Sequence, residues 1–227
     1  MEKERPDIFS RAWQTSEVSP YFAALTAADE GYASAVVALM EKDGVRNRSI
    51  SAMEGRLLET FARLSGARKA VEIGALYGYS AHWLARGLPE GGRLYSLEKD
   101  LACVTAAKDA VAASGLSRKV TVMEGPALES LKTLSKLAPF DLCFIDAEPE
   151  QAPDYLRWAA ANLRPGGVML ADRTFLDGKI SPDDVSAADN TRARAMREFF
   201  HVLFDSDRFV SASVLPTGAG FAIGIKA

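Results

Sequence analysis

The stretch Ala70-Val71-Glu72-Ile73-Gly74-Ala75-Leu76-Tyr77-Gly78-Tyr79-Ser80 decides the fold of this chain. An apolar run ends in a carboxylate and a glycine, and a tight turn then leads into a helix predicted to begin near Tyr79. Further along, a second apolar run ends in another carboxylate, Glu98. This layout suits a nucleotide-like ligand. Gly74 lets the backbone approach closely, the helix start offers amide donors, and a strand-end acid can hold ribose hydroxyls.

Length and composition indicate an ordinary globular protein. The chain has 227 residues, of which 48% are hydrophobic and 25% are charged, which predicts one domain with a sizeable core. The formal net charge of −3 gives no electrostatic footprint for a nucleic acid or an anionic membrane. We find no signal peptide and no apolar run long enough to span a bilayer, so we expect a cytoplasmic location. Cys103 and Cys143 are predicted to be reduced core residues.

Short apolar strands alternate with helices along most of the chain, which predicts an α/β fold with a doubly wound parallel sheet. The predicted strands lie near 69–74, 92–97, 119–123, 140–146 and 167–172, followed by a hairpin of 209–215 and 221–225. The predicted helices lie near 21–40, 52–64, 79–87, 101–114, 127–137, 153–162 and 189–204, and 174–188 is predicted to be a loop. We divide the chain into an N-terminal arm and helix (1–50), which would cover the substrate or contact a second subunit, and a catalytic domain (51–227).

Several motifs carry a family resemblance. The pattern from Glu72 to Gly78 is E-x-G-x-x-x-G, and later come the stretch Pro139 to Glu148 and the stretch Leu163 to Asp172. Together these resemble the catechol/caffeoyl-CoA O-methyltransferase family, of the small bacterial type, within the class I S-adenosylmethionine-dependent methyltransferases. The resemblance covers roughly residues 50 to 227. It implies a Rossmann-like, mostly parallel seven-stranded sheet with a C-terminal antiparallel hairpin and extra N-terminal helices. It also implies a small-molecule acceptor and a homodimer.

The resemblance also implies a set of cofactor-binding residues. Glu72 and Gly74 would line the methionine part of S-adenosylmethionine, with backbone contacts from Ala75 and Tyr79, and Ser80 would bind its carboxylate. Glu98 would hold the ribose, Ala127 would lie beside the adenine, and Asp146 would face the amine and the reaction centre. Several of these positions also suit a purely local role. Gly74 and Gly78 could serve only the strand–helix turn, and Ala127 could simply begin a helix. Ser80 could cap a helix, and Glu98 could be a solvated acid at a strand end.

The chain departs from the family where the family binds a divalent cation. Two carboxylates, Asp146 and Asp172, are present, but Arg173 stands where the family has an asparagine ligand and Pro149 where it has a lysine. A guanidinium supplies no metal ligand and carries its own positive charge. Our hypothesis is that Arg173 takes the place of the metal by pairing with both aspartates, so that Asp146, Asp172 and Arg173 form the catalytic group and no metal ligand is assigned. The alternative is that Arg173 turns to solvent and a cation binds through the aspartates and water.

The predicted function is a metal-independent O-methyltransferase that uses S-adenosylmethionine to methylate a hydroxyl of a small molecule. The alternative is a non-catalytic sensor or partner protein that binds S-adenosylmethionine. The missing third glycine disfavours a nicotinamide oxidoreductase, and the absence of a basic face disfavours nucleic-acid methylation. Candidate general bases, none of them compelling, are Glu148, Asp177, Lys179 and His82.

Overall fold

The structure is a computed structural model that describes Tyr21 and residues 30–181, 190–205 and 207–227. The predicted arm at residues 1–20, most of the first half of the predicted 21–40 helix, and part of the predicted 174–188 loop lie outside the described residues.

Seven strands form one sheet. They are β1 (Lys69–Ile73), β2 (Arg93–Glu98), β3 (Val120–Glu124), β4 (Phe140–Ile145), β5 (Leu163–Ala171), β6 (Phe209–Leu215) and β7 (Phe221–Lys226). The strand order is β3-β2-β1-β4-β5-β7-β6. The first five strands are mutually parallel, β7 runs antiparallel to β5, and β6 runs antiparallel to β7. The prediction of a mostly parallel sheet closed by an antiparallel hairpin is therefore confirmed.

Helices cover both faces of the sheet. They are α1 (Glu30–Lys42), α2 (Ala52–Leu64), α3 (Tyr79–Gly87), α4 (Leu101–Ala113), α5 (Ala127–Leu134), α6 (Ala152–Asn162) and α7 (Thr191–Phe204). Short 3₁₀ turns occur at Ser135–Leu137, Pro149–Gln151 and Leu176–Gly178.

The core lies in two layers, one on each face of the sheet. Successive strand residues point to opposite faces, so Ala70 packs with the layer under α1 to α4, whereas Val71 and Ile73 pack with the layer under α5 to α7. Val36 and Met40 of α1 belong to the first layer. By the same alternation Glu72 lies on the face of Ala70, beneath α3. The sheet thus sets which helices surround this carboxylate.

Among the described residues, two predicted element boundaries differ by three residues or more from those observed. β5 begins at Leu163, earlier than the predicted 167, because Leu163 pairs with Phe140 ahead of a register irregularity between Phe140 and Leu142. The predicted helix 127–137 is α-helical only to Leu134 and then tightens into a 3₁₀ turn.

Two further sequence expectations can be compared with the structure. Cys103 and Cys143 are free and buried, as predicted. Within the described residues, no helix combines the length and the apolar character needed to cross a membrane.

Candidate active site

Glu72, near the end of β1, is a fully buried carboxylate with one unsatisfied oxygen. Its side chain is 0% exposed, and Oε2 accepts a hydrogen bond from the Ser96 hydroxyl on the neighbouring strand β2. Oε1 has no hydrogen-bond partner among the described residues. A buried carboxylate oxygen without a partner is costly, because burial removes its hydration and nothing replaces it. Such an oxygen is suited to a cationic ligand group.

The ionisation of Glu72 is shifted in the direction that burial dictates. Burial raises its pKa to about 7, while the hydroxyls of Ser80 and Ser96 oppose the rise and the charges of Asp146 and Glu98 add to it. A bound cation would favour the ionised form. The ammonium and sulfonium groups of S-adenosylmethionine therefore fit this position better than a pyrophosphate does.

Gly74 allows the end of β1 to pack closely against the end of β4. Its φ is +102°, and a Cβ atom built there would lie 2.1 Å from the backbone oxygen of Asp146. Glycine is therefore required by both the backbone conformation and the close approach. The amides of Gly74 and Ala75 both donate to the Leu97 carbonyl at 3.0 Å, so these two donors hold the turn in place. The predicted cofactor contact of Ala75 would thus use atoms other than its amide hydrogen.

Glu98, at the end of β2, is fixed by backbone amides. One carboxylate oxygen accepts from Leu76 at 2.9 Å, and the other accepts from Lys99 at 2.8 Å and Asp100 at 3.0 Å. The oxygen that accepts only from Leu76 keeps a second lone pair for a ligand hydroxyl. The Glu98 carbonyl accepts from the amide of Gly125 at 2.9 Å, just before the half-buried Ala127 opens α5. The structure therefore brings the predicted ribose and adenine residues together.

The start of α3 is held against α1. Gly78 takes φ +81° as the N-cap of α3, which places Tyr79 and Ser80 in its buried first turn. The Tyr32 hydroxyl of α1 donates to the Gly78 carbonyl at 3.2 Å, and the Tyr32 ring stacks on His82 with a centroid separation of 3.9 Å. We call this set of contacts the α1 latch.

At the end of β4, Asp146 is paired with Arg173. The Nε of Arg173 donates to Oδ1 of Asp146 at 2.6 Å, and Nη2 donates to its backbone oxygen at 3.3 Å. Burial raises the pKa of Asp146, and the Arg173 guanidinium opposes that rise. The predicted ion pair between these residues is confirmed.

The second half of that prediction is wrong, because the guanidinium does not pair with Asp172. The Asp172 side chain is buried, and its Oδ1 has no hydrogen-bond partner among the described residues. Burial raises the pKa of Asp172 to about 8, and the charges of Asp146 and Glu54 add to this rise. Arg173 takes φ +56°, a left-handed conformation, and its Nε and Nη2 atoms reach Asp146 across the end of the sheet.

These residues do not fit a divalent cation. One oxygen of Asp146 is already hydrogen-bonded to a guanidinium, and the family's third ligand position carries that same cationic side chain. Mg²⁺ demands several oxygen ligands in near-octahedral array. In the part of the chain that the structure describes, no group of three or more His, Cys, Asp or Glu side chains is arranged to hold a metal ion.

The candidate bases predicted from the sequence are engaged elsewhere or exposed. Glu148 forms an ion pair with Lys99, and His82 is stacked on Tyr32. Asp177 and Lys179 are exposed around the 3₁₀ turn that follows β5. Pro149 opens a 3₁₀ turn and has no ionisable group.

Sequence reasoning missed Glu54 and Tyr32. Glu54 is buried in the first turn of α2, where its carboxylate accepts from the amide and the hydroxyl of Ser51 at 2.8 Å, and its charge raises the pKa of Asp146 and Asp172. The spacing of Ser51 and Glu54 is a capping-box signature and could have been found. Nothing in the local sequence marks Tyr32, because its partners Gly78 and His82 lie far along the chain.

The sequence resembles known proteins over most of its length. A profile of the O-methyltransferase family matches residues 26–227. A catechol O-methyltransferase of Niastella koreensis is 32% identical over 189 residues, covering 82% of this chain and 83% of that protein. A catechol O-methyltransferase of Mycobacterium tuberculosis is 30% identical over 213 residues, covering 92% of this chain and 94% of that protein.

Solved structures of O-methyltransferases share the fold of this chain. An O-methyltransferase from Bacillus cereus in complex with S-adenosylhomocysteine superposes with a TM-score of 0.87 at 29% identity, covering 92% of this chain and 97% of that one. TomG from Streptomyces achromogenes, an O-methyltransferase involved in tomaymycin synthesis and solved with S-adenosylmethionine, gives 0.86 at 31% identity, covering 92% and 96%. The family resemblance and the fold class predicted from the sequence are confirmed by these matches. The chain belongs to the O-methyltransferase family.

Proposed function

We propose that this protein transfers a methyl group from S-adenosylmethionine to a hydroxyl of a small molecule, and that it does so without a divalent cation. The observation that carries the metal-free part is the Arg173–Asp146 ion pair, which puts a fixed cation where the family uses a metal. Similarity to relatives named catechol O-methyltransferase supports a phenolic acceptor.

The cofactor residues that we propose are Glu72, Gly74, Ala75, Tyr79, Ser80, Glu98, Ala127 and Asp146. Glu72 would face a cationic group with its unpartnered oxygen, and Glu98 would accept from the ribose hydroxyls. When bound, S-adenosylmethionine supplies a methyl group activated by a sulfonium. The protein's residues would then align the methyl group with the acceptor oxygen, because holding two reactants in the correct orientation removes much of the entropic barrier.

The catalytic residues that we propose are Asp146, Arg173 and Asp172. Asp146 fixes the guanidinium of Arg173 by a charge-assisted hydrogen bond. A guanidinium cannot accept a proton, but it stabilises negative charge that develops on an acceptor oxygen. Asp172 lies beside this pair with one oxygen unpartnered among the described residues.

Three further proposals come from the sequence. The protein would act in the cytoplasm and as a homodimer, and residues 1–50 would form a substrate cover or a subunit contact. Sedimentation of the full chain at several concentrations tests the dimer directly.

Calorimetric titration of S-adenosylmethionine into metal-stripped protein, repeated with excess Mg²⁺, tests the proposal. We expect saturable binding with the same affinity in both titrations. The matched variant Arg173→Asn creates the family's Asp-Asn pair, and we expect its affinity for Mg²⁺ to exceed that of the wild type. Strengthening of wild-type binding by Mg²⁺ would refute the metal-free proposal, and no binding at all would refute the methyltransferase proposal.

A second candidate function is binding of S-adenosylmethionine without turnover. It is favoured by one observation, the buried Pro149 in place of a lysine. Methyl transfer to any member of a phenol panel, followed by mass spectrometry, would exclude it.

A further inference from the structure

Arg173 is held from one side only. Its Nε and Nη2 atoms donate to Asp146, whose side chain is 9% exposed, whereas the Arg173 side chain is 33% exposed. A guanidinium carries five N–H donors, and these two bonds use two of them. Among the described residues, the other donors have no protein acceptor. The guanidinium therefore presents a free donor edge that includes Nη1, and we call this the open edge.

The orientation of this edge is imposed by the protein. Arg173 follows Asp172 directly after β5 and adopts φ +56°, a left-handed conformation that is unfavourable for a non-glycine residue. Backbone strain of this kind persists only where surrounding contacts over-determine the conformation. The two bonds to Asp146 are such contacts, and they tie the side chain to the end of β4 next to Gly74.

The chemistry of the open edge selects an anion. A guanidinium donates hydrogen bonds but accepts none, and it stays charged at any working pH. It prefers an oxygen that is already ionised to a neutral hydroxyl, because hydrogen bonds between charged partners are about twice as strong. The predicted bases do not supply a proton acceptor beside it, since Glu148 pairs with Lys99 and His82 stacks on Tyr32.

We infer that the open edge of Arg173 binds the acceptor oxygen as an anion, so that the acceptor is an acidic phenol which binds as its phenolate. The inference rests on the proposed function, because it places the acceptor beside the proposed cofactor site. An oxygen that arrives ionised has no proton to lose, which removes the need for a general base. The competing possibility is that a neutral phenol binds and loses its proton to Asp172.

A probe that reports its own ionisation distinguishes these cases. 4-Nitrophenol absorbs visible light as the phenolate and not as the phenol, and it cannot chelate a metal through two oxygens. We would titrate it into metal-free protein saturated with S-adenosylhomocysteine, which cannot donate a methyl group. We expect the bound probe to be ionised, with its pKa lowered by about one unit, equal to a tenfold shift in its ionisation equilibrium. Unsubstituted phenol should bind at least tenfold more weakly.

Variants identify the group responsible. Arg173→Gln should abolish the shift in the probe's pKa, and Arg173→Lys, which keeps the charge but loses the planar fork, should retain part of it. Arg192→Gln, an exposed arginine on α7, is the matched control and should leave the shift unchanged. Circular dichroism confirms that each variant is folded.

The outcomes separate two kinds of failure. If calorimetric titration of S-adenosylhomocysteine into the metal-free protein shows no binding, the proposed function fails and this inference fails with it. If it binds but the probe stays neutral, or Arg173→Gln leaves the shift intact, only the anionic acceptor is refuted. Equal affinity for phenol and 4-nitrophenol would also refute it.

Discussion

A buried carboxylate, Glu72, and a nearly buried one, Asp146, lie at the carboxyl ends of two neighbouring strands and differ in what balances their charge. Glu72 on β1 has serine hydroxyls beside it and one oxygen without a partner among the described residues, whereas Asp146 after β4 is paired with the guanidinium of Arg173. The two strands are direct neighbours, so the residues share one environment. We call the surroundings of Glu72 the β1 side and those of Asp146 the β4 side. The β1 side is suited to a cation brought by a ligand, whereas the β4 side already contains a cationic side chain, that of Arg173.

This comparison explains why the family pattern holds on one side and breaks on the other. The β1 side depends on backbone geometry, since Gly74 must lie against the Asp146 carbonyl and Glu98 must accept from three amides. The β4 side depends on which side chains supply charge. On our proposal, an arginine at 173 in place of the family's asparagine ligand would supply the positive charge that a metal ion otherwise brings, and the sheet would need no change.

The largest expected effect comes from breaking the contact between the two sides. Gly74→Ala would place a methyl group 2.1 Å from the Asp146 oxygen at φ +102°. We expect it to lower the free energy of unfolding by about 3 kcal/mol or more, from left-handed strain and overpacking together. Chemical denaturation measures this change, and cofactor affinity should fall with it.

Gly115→Ala is the matched control for backbone strain alone. Gly115 has φ +71°, with nothing within 4 Å of a Cβ atom built there. It should cost only about 1 kcal/mol, which is the strain of the left-handed backbone. Equal losses in the two variants would show that the close approach at Asp146 is unimportant.

The next effect concerns the charge of Glu72. Burial raises its pKa to about 7 from an ordinary 4.5, so the folded chain holds a proton that the unfolded chain releases between these values. Without ligand, this group therefore makes the fold less stable as pH rises through that window. Binding of a cation needs the carboxylate, so affinity for S-adenosylmethionine should rise about fivefold between pH 6 and 7, as the ionised fraction does.

Glu72→Gln should remove this pH dependence and weaken binding roughly tenfold or more, the usual loss for a hydrogen bond to a charged group. Glu124→Gln, at the exposed end of β3, is the matched control and should change neither. Calorimetry at both pH values makes the measurement. A Glu72→Gln titration that keeps the wild-type slope would assign the pH dependence to another group.

Sequence reasoning reached the β1 side more fully than the β4 side, for physical reasons. Strand periodicity and a following glycine place Glu72 and Gly74 at a strand end without any knowledge of tertiary contacts. The partner of Arg173 depends on a left-handed backbone turn that no local pattern announces, so the pairing with Asp172 was predicted wrongly. Tyr32 was missed because its contacts join residues that are distant in sequence.

The smallest expected effect tests whether the α1 latch serves the β1 side alone. Tyr32→Phe removes the hydrogen bond to Gly78, which should cost about 1 kcal/mol of folding free energy. It should also weaken cofactor binding about two- to threefold, roughly in proportion to the lost population of the binding-competent turn. Tyr155→Phe is the matched control, because it removes a hydroxyl that bonds to Gln151 beyond β4. We expect it to cost similar stability and leave cofactor affinity unchanged. If both variants bind S-adenosylmethionine like the wild type, α1 supports the fold but does not hold the cofactor turn.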